Sequence, residues 1–207
     1  MRTRFALVIF ALLVYTALFG AGWILGGRAG QKHSRYWSGT LSSAAPLEHA
    51  IPDTNRYWLE KINELRKQKN VRLLAVDPRL IQTAADWADE MKTRGEITHT
   101  RTDGKTMHEW IGTKNISFTK QGAPNGWKSN YFVENIARYY AEPTDSGLNT
   151  ALDKVLAEFV AEGPGGDHYE SIYHPDWNSV GVGHAYEPAE HGNVRVYFVF
   201  HYGSLER

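Results

Sequence analysis

The chain contains no cysteine. Disulfides and thiolate ligands are therefore excluded, and any metal would have to be held by imidazole and oxygen. Net charge is absent too. The 23 Lys and Arg balance 23 Asp and Glu, and no basic run interleaved with aromatics marks a face for a polyanion, which argues against nucleic acid as a partner. No Gly-x-Ser-x-Gly elbow, phosphate loop or dinucleotide fingerprint occurs. His108-Glu109-Trp110-Ile111-Gly112 begins as a zinc-protease helix would, but Gly112 stands where the second histidine is required, so that chemistry fails as well.

What is present begins with a long apolar run. Arg2 and Arg4 precede Phe5 to Leu25, which carries no charged residue and, at about 1.5 Å per helical residue, suffices to span the roughly 30 Å hydrocarbon layer. Residues 1–27 are read as a signal anchor in the cytoplasmic membrane. Gly20-Ala21-Gly22 also fits a cleavage site, and the alternative is a signal peptide whose removal would leave a secreted protein. In either case the arginine end stays cytoplasmic and the remainder is extracytoplasmic. Residues 28–54, rich in Gly, Ser and Ala and without sustained periodicity, read as a linker.

Residues 55–207 carry the pattern of one globular domain. Trp58, Ile62 and Leu65 form an amphipathic helical stripe. Asp77 and Pro78 start a second helix, with Leu80, Ala84, Trp87, Ala88 and Met91 on its apolar side and Gly95 as its stop. The stretch from Thr100 to Trp127 reads as loops with one short helix. A helical segment is expected over Tyr131 to Tyr140, ending before Pro143. Leu152, Val155, Leu156 and Phe159 define a further helix up to the glycine-rich breaker at Gly163. After His168 the pattern turns to strand. Ser179 to Tyr186 and Val194 to Tyr202 form a hairpin with apolar residues on both faces, as in a sheet covered on both sides. The expected class is α+β, helices packed against a small, mostly antiparallel sheet.

Chemistry concentrates in Ile97-Thr98-His99, Val133-Glu134-Asn135-Ile136-Ala137 and Gly166-Asp167-His168-Tyr169. Two histidines and a carboxylate brought together would line a polar, metal-competent cleft. Elsewhere, His184 and His201 fit better as packed, hydrogen-bonded strand residues than as ligands. Trp110, Trp127 and Tyr131 are candidates for lining a cleft.

Leu74-Ala75-Val76-Asp77-Pro78-Arg79-Leu80, then His99, Asp103-Gly104, Glu134-Asn135-Ile136-Ala137, Asp167-His168-Tyr169, Val180-Gly181-Val182-Gly183 and Val196-Tyr197-Phe198-Val199-Phe200 follow one another in a familiar order. In this the chain resembles the CAP superfamily (cysteine-rich secretory proteins, antigen 5 and pathogenesis-related class 1 proteins; the SCP domain), as a bacterial-type member lacking cysteines. The resemblance implies an α-β-α sandwich, a secreted or surface location, and a cleft lined by two His and two acidic residues. His99 and His168 sit at the histidine positions and Glu134 at the first acidic one. The second falls on Glu162 or Glu158, with Glu162 preferred. Val133 replaces the glycine usual before Glu-Asn, and a β-branched residue does not readily take positive φ.

From this the cleft is expected to use His99 and His168 toward an optional divalent metal, with zinc as the default. The favoured function is a ligand- or partner-binding module, with a lipid, a cell-wall fragment or a protein as ligand; enzymatic activity is the less favoured reading. The alternative is a metal-assisted hydrolase, peptidase-like or cell-wall-directed, with Glu134 and Glu162 as its catalytic carboxylates.

Overall fold

A computed structural model describes residues 53–119 and 131–206. The expected anchor (1–27), nearly all of the linker (28–54) and Trp127 lie outside the described residues. No helix among those described is long and apolar enough to cross a membrane.

Helix α1 (Asp53–Gln68) buries Trp58 and Ile62. A two-residue strand β1 (Ala75–Val76) follows, which sequence periodicity is too short to reveal. Helix α2 (Pro78–Arg94) begins as its sequence dictates: the Asp77 side chain accepts a hydrogen bond from the Arg79 amide, and Gly95, at φ 71°, closes it. Helix α3 (Met107–Ile111) carries a reciprocal capping box between Thr106 and Glu109. Then come β2 (Phe132–Ala141), α4 (Asp145–Ala161), α5 (Asp167–Tyr173), β3 (Ser179–Pro188) and β4 (Val194–Gly203).

Two expectations are corrected. The segment Tyr131 to Tyr140 is a strand, not a helix, because its Phe, Val, Ile and Tyr residues pair along ten positions with β4. Its alternation is hidden because five consecutive residues, 132–136, are buried, including Glu134 and Asn135. Strand character also does not start directly after His168. Gly166 caps α5, whose first turn holds Asp167 and Glu170 where helix dipoles favour acids.

The sheet order is β1-β3-β4-β2, antiparallel except for the short β1–β3 pair. On one face Val133, Val180, Val182, Val196, Phe198, Phe200 and Tyr202 meet α1, α4 and α5 in the largest apolar cluster. On the other, Ile136, Ala185, Tyr197 and Val199 meet Ala84, Trp87, Ala88 and Met91 of α2. This is the α-β-α sandwich, and the tight contact of its second layer explains the Val-Gly-Val-Gly sequence of β3. A Cβ on Gly181 would lie 2.3 Å from the Leu80 carbonyl carbon, and one on Gly183 only 2.1 Å from that of Ala84. Helix α2 rests directly on β3 backbone.

Arg66 locks the other layer. Fully buried, it makes no ion pair with an acid among the described residues; its guanidinium donates to the carbonyls of Arg72, Ile172 and His174 at 2.6, 2.5 and 3.1 Å. Two of these carbonyls stand at the C-terminal end of α5, where the helix dipole favours a cation.

Candidate functional site

Strand register sets the centre of the site. Glu134 on β2 stands opposite His201 on β4, which stands opposite Gly181 on β3. The missing side chain at Gly181 lets α2 descend, and Thr83 of α2 then reaches His201, with 2.9 Å between Thr83 Oγ1 and His201 Nδ1. His201 Nε2 is 2.8 Å from Glu134 Oε2. The turn after α2 brings in His99, whose Nδ1 is 2.9 Å from Glu134 Oε1, and Arg101, which donates to Oε1 at 3.0 Å and Oε2 at 2.7 Å. Both carboxylate oxygens thus receive two hydrogen bonds. The Arg101 guanidinium is held between two indoles, 3.9 Å from the Trp87 ring centroid and 4.4 Å from that of Trp110.

The charge states follow. Burial pushes the Glu134 carboxyl up, but hydrogen bonds from His201, His99 and Arg101, with the charge of Arg101, hold it well below the usual carboxylate range. Burial pushes His201 down, so it is a neutral ring. An ionised carboxylate only accepts, so His201 donates from Nε2 and accepts at Nδ1 a hydrogen bond from the Thr83 hydroxyl. His99 likewise donates from Nδ1, which leaves its Nε2 for an incoming group. The His99 side chain is 41% exposed, whereas those of Glu134, Arg101 and His201 are at most 1% exposed.

The second pair is separate. Glu162, at the C-terminal end of α4, accepts from the His168 amide at 2.9 Å and lies 2.5 Å from His168 Nδ1. The imidazole stacks on Phe159 with centroids 4.1 Å apart and planes at 2°. Burial works against ionisation of Glu162, but the His168 contacts outweigh it and lower its pKa. Glu158 is exposed. Glu162 is therefore the carboxylate that orients His168. No hydrogen bond or ring contact joins the two pairs among the described residues. Glu134 belongs to the α2 face of the sheet, while Phe159 packs in the layer on the opposite face.

Val133 sits in extended backbone opposite Tyr202, and its φ is not positive. A β-branched residue is at ease there. Two members of the cluster are hidden from sequence reasoning. Arg101 has only its place two residues after His99 as a signal. His201 is legible as a packed strand histidine, but its pairing with Glu134 emerges only once β2 is known to be a strand.

A metal finds a limited donor set. A carboxylate on Nδ1 is the arrangement that orients an imidazole whose Nε2 binds metal, and His99 and His168 both have it. Glu134 has no lone pair left, and no group of three or more His, Asp or Glu among the described residues could hold an ion. No described contact joins the two pairs, so the residues present fit at most a water-completed ion held by a single imidazole, that of His99 or that of His168.

The chain belongs to the CAP family, the Cysteine-rich secretory protein family, whose profile matches residues 59–202. Solved structures share the fold. The CAP domain of Enterococcal PrgA aligns with a TM-score of 0.51 at 19% identity, over 72% of this chain and 61% of that one. An extracellular protein containing a SCP domain from Bacillus anthracis aligns at 0.50 and 18%, over 77% of this chain and 45% of that one. An outer surface protein from Borrelia burgdorferi aligns at 0.49 and 20%, over 74% of this chain and 94% of that one. Comparison with curated proteins gives no match.

Proposed function

We propose that this CAP domain is an extracytoplasmic binding module, anchored through its apolar N-terminal run or secreted if that run is cleaved, and that binding rather than catalysis is its main role. His99 and His168 are the residues that meet the ligand, each aimed by its carboxylate. The observation that carries this reading is the saturation of Glu134. A general base needs a free lone pair and a pKa near working pH, whereas both Glu134 oxygens are occupied and the carboxyl is held far too acidic. Glu134 therefore does not serve as the base of the hydrolase alternative.

The extracytoplasmic assignment is supported by Arg2 and Arg4 before the uncharged run and by the extracellular description of the Bacillus anthracis relative. The ligand class is an envelope component: a lipid, a cell-wall fragment or a protein. A divalent ion, zinc in the first instance, is an optional guest on Nε2 of His99 or of His168, where it would supply a positive charge to an anionic ligand group.

Sedimentation of the full chain with isolated peptidoglycan, with and without zinc, tests the cell-wall branch against His99→Ala plus His168→Ala, with calorimetry of zinc alone in parallel. Binding that weakens in the double variant supports the reading. Equal binding by both proteins removes these histidines from the ligand site. Hydrolysis of peptidoglycan or casein that disappears in Glu134→Gln, under conditions where circular dichroism shows the variant folded, would restore the enzyme.

A further inference from the structure

The far end of the α2 face holds a second feature. Glu187, Arg195 and Tyr140 form one cross-strand row on β3, β4 and β2, Arg195 standing opposite both others. Beyond them the β3–β4 connection folds back, with the Ala189 amide donating to the Asn193 carbonyl at 2.9 Å and the Asn193 amide to that of Glu190 at 3.2 Å. Row and loop enclose an open groove of about 580 Å³, lined by Tyr140, Pro188, Glu190, His191, Asn193 and Arg195 among others. Its size is that of a small-molecule site, which typically runs from about 300 to 1,000 Å³. Tyr140 lies six positions along β2 from Glu134, roughly 20 Å at about 3.3 Å per residue. The groove is distinct from the histidine cleft.

Its chemistry is selective. Tyr140 is among the most exposed large apolar side chains, at 57%, and its ring is steadied by Arg195, which donates to the Tyr140 hydroxyl at 3.3 Å and to Glu187 at 2.8 Å. Glu187 thereby neutralises Arg195, and Glu190 adds a negative charge to the lining, so an anionic ligand is disfavoured. Pro188 and Ala189 supply too little apolar surface for a lipid chain. His191 Nδ1 stands 4.0 Å from Glu190 Oε2; among the described residues no hydrogen bond engages the side chains of Glu190, His191 or Asn193, so donors and acceptors of both kinds border an exposed aromatic face. His191 is held at φ 59°, which is unfavourable for a non-glycine residue and is maintained by the closed loop.

We infer that this groove binds a neutral saccharide, a pyranose ring lying on Tyr140 with its hydroxyls bonded by Asn193, Glu190 and His191. A sugar presents C–H faces to an aromatic ring and hydroxyls at its rim, and it carries no charge for the compensated Arg195 to reject.

The test uses the full chain in a detergent without a sugar headgroup. It is titrated with the linear trisaccharides of N-acetylglucosamine, glucose and mannose, and read by saturation-transfer NMR and calorimetry. At least one trisaccharide is expected to bind, with affinity lowered about tenfold in Tyr140→Ala and in Asn193→Ala and kept in Tyr140→Phe. Because Tyr140→Phe retains the ring, this pattern assigns the loss to stacking and not to misfolding. The inference is overturned if none of the three binds at millimolar concentration or if Tyr140→Ala binds as wild type. It is equally overturned if inorganic phosphate displaces the sugar, which would make Arg195 an anion site.

Discussion

Arg101 meets Glu134 end on, two nitrogens on two oxygens, with its guanidinium clasped between Trp87 and Trp110. The pair is the electrostatic centre of the domain. A bidentate contact in a dry, aromatic enclosure fixes both position and charge, and it converts the carboxylate from a reactive group into a scaffold for His99 and His201.

Breaking one side of this pair leaves the other charge buried. Glu134→Gln and Arg101→Ala should each cost about 3–5 kcal/mol. Guanidinium denaturation of the two variants and of the double variant is the measurement. The double variant should lose clearly less than the sum, because its members share one interaction; strict additivity would deny the coupling.

Acid should weaken the fold in two stages. Burial holds the pKa of His201, and those of His108 and His184, below the ordinary 6.5, so the unfolded chain binds these protons first and stability declines below about pH 6.5. Glu134 is depressed from 4.5; its contribution is fully present above about that pH and is lost as pH falls toward the folded pKa. Urea midpoints at about pH 7.5, 5.5 and 4 should descend, and Glu134→Gln should flatten the acid end. A level profile in the wild type would contradict both.

Gly183→Ala places a methyl group 2.1 Å from the Ala84 carbonyl carbon. Helix backbone cannot yield as a side-chain tip can, and the cost should be about 3 kcal/mol or more. Thermal melting followed by circular dichroism checks this, with Gly192→Ala for comparison. At Gly192 the space is open and only the φ of 77° opposes a side chain, so the loss should be smaller. Equal melting temperatures would mean that α2 does not bear on β3.

Arg66→Met should cost about 2–4 kcal/mol, because the carbonyls of Arg72, Ile172 and His174 lose their donor inside the protein. Hydrogen exchange should report the loss first at α5, whose C-terminal end carries the Ile172 and His174 carbonyls. Unchanged protection of α5 would show that the helix holds itself.

The apolar stripes, the Asp77-Pro78 start and the glycine stops make α1, α2, α4 and the closing hairpin legible, because each signal acts within a few residues of the element it builds. Strand β2 reads as a helix because burial of Glu134 and Asn135 erases the polar alternation by which a strand is recognised, and partners far along the chain make that burial tolerable. The same effect conceals the role of His201, whose place beside Glu134 is a matter of register.

The sequence by itself determined the family, the α-β-α sandwich and the identity of His99, Glu134 and His168 as residues of interest, since local periodicity and ordered motifs are properties of the chain. Tertiary structure decided what those residues are. Pairing over long separations gave Glu134 four donors and left it no lone pair for chemistry, while a contact across the turn after α4, spanning only six residues, assigned Glu162 to His168. Partners of a buried charge are chosen by packing, which no short stretch of sequence specifies.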